Sequence, residues 1–266
     1  AGVDWLLAKD ACQFYGTPND CQGKLTVINQ SNNKVKVRTL STQKPTRQRK
    51  NIDLLKPANI MLSARIPPHS EVQAIASLQL PAHTAPGQYQ AAVICGKQKV
   101  PIEIKILEHR EMLIEPSHIR VQGECGELIH SKLTITNQGN VPLNIKDVGM
   151  VWLREHDWVG RTLVYTIRET DPNDSLNDFG NRLLQTFRDE IIPPAKIKFS
   201  PTNHQKEAID TLTPGNAVER TLNLTLPTAL KKGRRYLGFI KINESRIWLE
   251  VYCSGSRSTT KKEKQA

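Results

Sequence analysis

The stretch KLTVINQSN at residues 24–32 returns almost unchanged as KLTITNQGN at residues 132–140, and this repeat decides the organisation of the chain. A second pair, LPAHTAPGQY at residues 80–89 and LPTALKKGRRY at residues 226–236, follows in the same order. The copies are offset by 108 residues at the first pair and by 146 at the second, so the later copy holds about 38 additional residues (146 − 108). A repeat of this length predicts two similar domains in tandem.

Each copy has the pattern of an all-β domain. In KLTITNQGNVPLNI, Leu133 and Ile135 alternate with polar residues before a polar turn, and Leu143 and Ile145 resume the alternation afterwards. Period-two alternation is typical of half-buried strands. The closing strand of each copy repeats this pattern, with Val100, Ile102, Ile104 and Ile106 in the first and Trp248, Leu249 and Val251 in the second.

The strand–turn–strand KLTITNQGNVPLNI, followed by L-P, G and Y and a closing strand, resembles the bacterial immunoglobulin-like modules of the PapD-like superfamily. The resemblance implies an all-β chain of two tandem immunoglobulin-like β-sandwich domains, the second with an amphipathic helical insertion. We place the domains at residues 1–108 and 109–253, and we expect the basic tail at residues 254–266 to be disordered because it has few apolar residues. This fold serves many unrelated roles, so the resemblance does not define a function.

The additional residues of the second copy predict one amphipathic helix at about residues 174–192. Phe179, Leu183 and Phe187 fall at helical spacing, and Ser175 with Asp178 three residues later is typical of a helix start. The helix either caps an open end of its own sandwich or docks a partner protein. Phe179, Leu183 and Phe187 are therefore candidate partner-binding residues.

Positive charge is concentrated in the first domain and the tail. Residues 1–108 hold 14 Lys and Arg against 7 Asp and Glu, within a chain of net charge +11. The middle of the segment at residues 34–56, STQKPTRQRKN, predicts a charged loop that is either simply solvated or contacts an acidic partner. Nucleic acid is disfavoured because this segment has no aromatic residues for base stacking. The candidate contact residues are Lys34, Lys36, Arg38, Lys44, Arg47, Arg49 and Lys50.

The closing strand of the first domain supports an alternative function. In pilus chaperones, which belong to the same superfamily, this strand completes the fold of a client subunit by strand addition. Val100, Ile102, Ile104 and Ile106 have the required alternation. The same pattern is typical of an ordinary strand that packs on its own core. The basic residues that hold the client in that family have no match in this sequence.

Enzymatic and metal-site motifs are missing from the sequence: G-x-S-x-G, Walker A, G-x-G-x-x-G and H-E-x-x-H do not occur. We therefore expect no enzyme, no catalytic residues, no metal and no cofactor. The leading hypothesis is a non-enzymatic protein-binding or structural module of an envelope assembly, located in the periplasm or outside the cell after removal of a signal peptide. No apolar run is long enough to span a membrane.

The five cysteines leave several pairings open. Cys12 and Cys21 are close in sequence and could close a short disulfide loop. Cys125 precedes the first strand of the second domain and Cys253 ends its last strand, so these two could form another. Cys95 would then remain as a small buried apolar residue.

Overall fold

We describe a computed structural model of the chain over residues 5–8, 12–45, 52–145, 148–201 and 211–254. Over these residues the protein is mostly β, with two helices. Its contacts divide it into two units. Unit 1 contains Ala1–Glu111, Asn137–Leu143 and Thr213–Asn216, and unit 2 contains Met112–Thr136, Asn144–Leu212 and Ala217–Ala266. The turn after the second KLTITN strand thus belongs to unit 1 by its contacts.

The first nine strands lie in unit 1. They are β1 (Trp5–Leu7), β2 (Cys12–Thr17), β3 (Asp20–Asn29), β4 (Val35–Gln43), β5 (Asp53–Leu54), β6 (Asn59–Ile66), β7 (Ser70–Gln79), β8 (Gly87–Cys95) and β9 (Gln98–Ile106). Their inward side chains form a single apolar core, in which every second residue of β6 and β9 is buried.

Seven of these strands form a closed ring rather than two separate sheets. The order is β3-β2-β9-β8-β4-β6-β7, and β7 pairs with β3 again. Two strands make the corners: β3 pairs with both β2 and β7, and β4 pairs with both β6 and β8, with a bulge between Val37 and Thr39. Strands that pass from one layer to the other in this way join the layers at their edges. The expected two-sheet sandwich is therefore replaced here by one continuous sheet.

The remaining strands form two open sheets and a short two-stranded sheet. They are β10 (Met112–Glu115), β11 (His118–Gly123), β12 (Leu128–Asn137), β13 (Leu143–Asn144), β14 (Met150–Val151), β15 (Arg154–Glu155), β16 (Ala195–Pro201), β17 (Thr211–Leu212), β18 (Ala217–Thr225), β19 (Arg235–Ile242) and β20 (Ser245–Cys253). One sheet has the order β10-β12-β18-β16-β14, another β11-β20-β19-β15, and β13 pairs with β17. Apolar residues of the two larger sheets share one core, as expected of a sandwich.

Two helices lie between β15 and β16, where the sequence predicts only one. The predicted helix is present as α2 (Leu176–Asp189), and it starts with the expected capping box of Ser175 and Asp178. The unpredicted helix is α1 (Trp158–Glu169), which follows Asp157 in a left-handed conformation with no side-chain cap. Sequence criteria miss α1 because it lacks the N-terminal signal that identifies α2.

Candidate functional site

The polarity of α1 is reversed relative to that of an ordinary surface helix. Its buried side chains are two threonines, Thr162 and Thr166, whereas Trp158 is half-buried and the aliphatic side chains face outward. Ile167 is 56% exposed, and Val159, Leu163 and Val164 are also exposed. A surface helix normally buries its apolar stripe against the core, so this arrangement leaves an apolar surface without a partner in the described part of the chain.

The second helix adds to this surface. None of the side chains of α2 is buried, and Leu176 and Leu184 are 86% and 68% exposed. The predicted contact residues Phe179, Leu183 and Phe187 are half-buried, and the Phe187 ring meets the Trp158 ring edge-on at 5.1 Å. We call the exposed apolar residues of the two helices the hairpin surface; they are Val159, Leu163, Val164, Ile167, Leu176 and Leu184.

An ion-pair cluster anchors the helices to unit 2. The buried carboxylate of Glu155 in β15 accepts hydrogen bonds from both terminal nitrogens of Arg161 in α1. Arg161 also reaches Glu190 after α2 at 3.3 Å, and Lys231 contacts the same carboxylate at 3.0 Å. These contacts tie both helices to one edge of the sheet and to the loop before β19. The hairpin surface is therefore presented on a fixed support.

Two members of the cluster, Arg161 and Glu190, have pKa values shifted in favour of their charged forms. Hydrogen bonding to Glu155 is the main cause of the raised pKa of Arg161. Burial alone raises the pKa of Glu190, but its bonds to Lys231 and Arg161 outweigh that effect and the net pKa lies below the ordinary value. Breaking one member would leave partly buried charges uncompensated.

A second exposed apolar region lies on the outer face of the sheet β11-β20-β19-β15. Phe239 and Trp248 are a cross-strand pair, with ring centroids 6.0 Å apart in an edge-on arrangement. Trp248 is 53% exposed, and the Arg246 guanidinium lies 5.4 Å from the centre of the Phe239 ring. The predicted core position of Trp248, beside Leu249 and Val251, is wrong: only the latter two are buried, because alternation turns Trp248 outward.

Arginines surround this aromatic pair. Arg120 and Arg235 both contact the Glu250 carboxylate, at 3.0 and 3.1 Å. Lys241 and Arg246 lie opposite each other at the far end of β19 and β20. We call this region the sheet face; it contains Arg120, Arg235, Leu237, Phe239, Lys241, Arg246, Trp248, Glu250 and Tyr252.

The hairpin surface and the sheet face meet in unit 2. Leu237 of the sheet face and Val159 and Gly160 of α1 line one shallow hollow of about 300 Å³, together with Arg154. Leu237 of the sheet face and Val159 of the hairpin surface therefore border the same hollow. Alternation in RYLGFIKI could have revealed the outward Leu237 and Phe239, since it places Tyr236 and Ile240 on the opposite face.

The predicted basic segment is partly strand. Lys36 and Arg38 point outward from β4, and Lys34 and Lys44 flank that strand; none of the four has an ion-pair partner among the described residues. The expected loop begins later than predicted, because Leu40 and Thr42 are buried and β4 continues to Gln43. The remaining predicted residues lie outside the described part of the chain; they are Arg47, Arg49 and Lys50.

The closing strand of unit 1 is paired on both sides. β9 pairs with β2 in parallel and with β8 antiparallel, and its four alternating apolar residues are buried in the core of the unit; they are Val100, Ile102, Ile104 and Ile106. A strand is added to a client through a free edge. Strand donation would therefore require β9 to lose one of its two neighbours.

The cysteines are all free thiols. The expected Cys12–Cys21 bridge is wrong, because Cys21 pairs with Gly16, four residues along β2 from Cys12. Four residues of strand span about 13 Å, whereas a disulfide needs Cα atoms within about 7 Å. Cys125 and Cys253, in contrast, belong to the same apolar core.

The described part of the chain has no group of three or more His, Cys, Asp or Glu side chains placed to hold a metal ion. Over the same residues, neither helix is long and apolar enough to cross a membrane.

Comparison with known proteins identifies no family. No family model and no curated protein sequence matches the chain. Similar solved structures include a protein of unknown function from Porphyromonas gingivalis W83, with 13% identity, 94% of this chain and 100% of that chain covered, and a TM-score of 0.27. The E. coli chaperone DraB has 10% identity, coverage of 93% and 98%, and a TM-score of 0.26. The fragment titin-A168169 has 9% identity, coverage of 95% and 100%, and a TM-score of 0.26. These scores are too low to support an argument about fold or function.

Proposed function

We propose that the protein is a non-enzymatic protein-binding module that docks partners through the hairpin surface. The observation that carries this proposal is the reversed polarity of α1, in which Thr162 and Thr166 are buried while Val159, Leu163 and Ile167 face outward. Exposed apolar patches on a well-anchored support are typical of protein-interaction sites, since each covered Å² of apolar area contributes roughly 25 cal/mol.

The proposal keeps the tandem immunoglobulin-like plan as its framework. Two tyrosines at equivalent places in the repeat support a common plan for the units: the Tyr89 hydroxyl donates to the Ala85 carbonyl at 2.8 Å, and the Tyr236 hydroxyl accepts from the Lys231 N–H at 2.7 Å. A tyrosine that bonds backbone a few residues upstream is a feature of immunoglobulin-like domains. The resemblance to the PapD-like superfamily supports a place in an envelope assembly, in the periplasm or at the cell surface, with no cofactor.

The test is a comparative cross-linking pull-down from the native host. The bait is the full chain, either unchanged or carrying Leu163→Asp with Ile167→Asp. The matched control is Ile75→Asp, which places the same charge on a 67% exposed apolar residue of β7 in unit 1. Thermal unfolding of each bait checks that the exposed substitutions leave the fold intact.

We expect mass spectrometry to identify a protein that the unchanged chain and Ile75→Asp capture equally and that the double variant loses at least tenfold. Equal capture by all three baits would contradict a role of the hairpin surface. A protein lost with both variants would indicate general loss of solubility instead, and would also contradict the proposal.

A further inference from the structure

The two exposed regions of unit 2 have complementary charge. The end of the hairpin at residues 169–178 holds four carboxylates and no Lys or Arg. These acids flank exposed Ile167 and Leu176; they are Glu169, Asp171, Asp174 and Asp178. One of them, Asp174, contacts Arg182 at 2.8 Å. The hairpin surface thus combines apolar side chains with an acidic end.

The sheet face has the opposite charge around a similar apolar centre. It holds Arg120, Arg235, Lys241 and Arg246 against two carboxylates: Glu250, which contacts His118, Arg120 and Arg235, and Glu244, which contacts Lys241 at 3.2 Å. Arginine and exposed aromatic residues are the side chains most enriched where protein interfaces gain their energy. An acidic, apolar helical surface is the kind of partner that this composition fits.

We propose that the hairpin surface of one copy docks on the sheet face of a second copy. This inference rests on the proposed function and names the partner. The hairpin leaves Phe239 and Trp248 of its own sheet face exposed, so the contact requires another molecule. One docking event would cover both unpartnered apolar regions and bring the acidic end of the hairpin close to the basic residues of the sheet face.

Two other occupants fit less well. Helices that lie on membranes carry Lys and Arg on their polar side, whereas the end of this hairpin is acidic. Single-stranded nucleic acid stacks its bases on open aromatic rings, whereas one side of the Phe239 ring is covered by Arg246 and its edge meets Trp248.

The experiment uses two variants of the full chain, each inactive in one half of the contact. The hairpin variant carries Leu163→Asp and Ile167→Asp, and the face variant carries Trp248→Ala and Arg246→Glu. All four positions are on the surface of unit 2, and thermal unfolding confirms that each variant is folded. Ile75→Asp in unit 1 is the matched control. Sedimentation velocity measures the mass of each protein over a concentration series.

We expect the unchanged chain and Ile75→Asp to associate as concentration rises, and each double variant to remain monomeric. An equimolar mixture of the hairpin and face variants should associate again, because one supplies an intact sheet face and the other an intact hairpin. Association should weaken at least tenfold between low and high salt, since charge contributes to it.

Three results would overturn the inference. They are a monomeric unchanged chain at every concentration, association of the face variant alone, and a mixture that stays monomeric. If the chain is monomeric but binds a single-stranded oligonucleotide or anionic phospholipid vesicles through Trp248 and Arg246, the sheet face has a different ligand. The pull-down remains a separate test: a foreign protein lost with Leu163→Asp and Ile167→Asp would uphold the proposed function even if self-association fails.

Discussion

At the scale of single residues, the repeat is visible in the hydrogen bonds of two buried asparagines. The Asn29 amide donates to the Asn33 carbonyl at 2.8 Å, and its carbonyl oxygen accepts from the Ser31 N–H at 3.0 Å. Asn137 repeats both bonds, donating to the Val141 carbonyl at 2.9 Å and accepting from the Gly139 N–H at 3.0 Å. A buried amide that satisfies the turn in this way is costly to replace.

Where the repeat differs, a neighbouring chain segment explains the change. Gly139 stands where the first copy has Ser31. A Cβ at Gly139 would lie 2.2 Å from the His109 carbonyl oxygen, so only glycine fits. The identity of the turn could be predicted from sequence, but this close approach could not, because it depends on residues about 30 positions earlier in the chain.

The two cysteines of unit 2 are placed to react with each other. The Cys125 thiol is partly exposed and donates to the Leu230 carbonyl at 2.9 Å, whereas Cys253 is fully buried. Burial, followed by the hydrogen bond with Cys125, raises the pKa of Cys253 to about 12. Cys125 is therefore the thiol that an oxidant reaches first.

We expect oxidised glutathione to convert this pair to a disulfide. The Cys125 thiolate attacks the glutathione disulfide and releases one reduced glutathione. Cys253 then loses its proton, attacks the mixed disulfide and releases the second. Titration in denaturant should fall from five free thiols to three (5 − 2), and peptide mass spectrometry should find the Cys125–Cys253 link. Cys125→Ser should keep all four of its thiols (5 − 1). A stable glutathione adduct on Cys125 would contradict the expected closure.

At the scale of elements, the buried side of α1 contains polar groups whose hydrogen-bonding capacity is only partly used. The Thr166 hydroxyl donates to the Thr162 carbonyl at 2.9 Å. The Thr162 hydroxyl and the Trp158 indole N–H are buried and have no hydrogen-bond partner among the described residues. A buried polar group without a partner costs about 1–3 kcal/mol.

We expect Thr162→Val to stabilise unit 2 by about 1 kcal/mol, because valine has a similar shape and removes the unpaired hydroxyl. In a domain of this size such a gain raises Tm by about 2–4 °C. Thr166→Val is the matched control on the same buried side, and it should give no gain because it removes a hydroxyl that is bonded. Calorimetry measures both; a lower Tm for Thr162→Val would show that its hydroxyl is bonded after all.

The two helices show what sequence patterns detect. The α2 helix is predicted by its capping residues, Ser175 and Asp178, and by an apolar stripe at helical spacing. The α1 helix has no cap, contains Gly160 and directs its apolar side chains outward, so neither its start nor its packing follows the usual rules. In each strand, alternation predicts which residues face inward. It does not predict which strand lies beside which, and closure of the ring and the aromatic content of the sheet face were therefore missed.

At the scale of the whole molecule, the units manage their strand edges differently. In unit 1, every strand of the seven-membered ring has two neighbours, so no strand of the ring is an edge strand along its whole length. Unpaired stretches remain where a strand changes neighbour, as in β4, which pairs with β8 only at Ser41–Gln43. In unit 2, each of the two larger sheets is open: one has the edge strands β10 and β14 and the other β11 and β15, and β14 and β15 are each two residues long. Short terminal strands also limit unwanted pairing.

Hydrogen exchange should report this difference. We expect the amides of β9, including Ile102 and Ile104, to exchange among the slowest in the protein, because β9 is paired on both sides and buried. The amides of β5, a two-residue strand off the ring, should exchange much faster and provide the internal control. Fast exchange in β9 would instead show that it readily loses a neighbour, as strand donation requires.

The closed ring also bears on where the repeat accommodates additional residues. In a closed sheet, each strand already has a neighbour on both sides. Residues inserted between two strands must therefore lie outside the sheet or disrupt the strand pairing. The sheets of unit 2 have open edges. Its two helices follow the edge strand β15 and precede β16, which pairs with the edge strand β14. The additional residues of the second copy accordingly lie at an open sheet edge of unit 2.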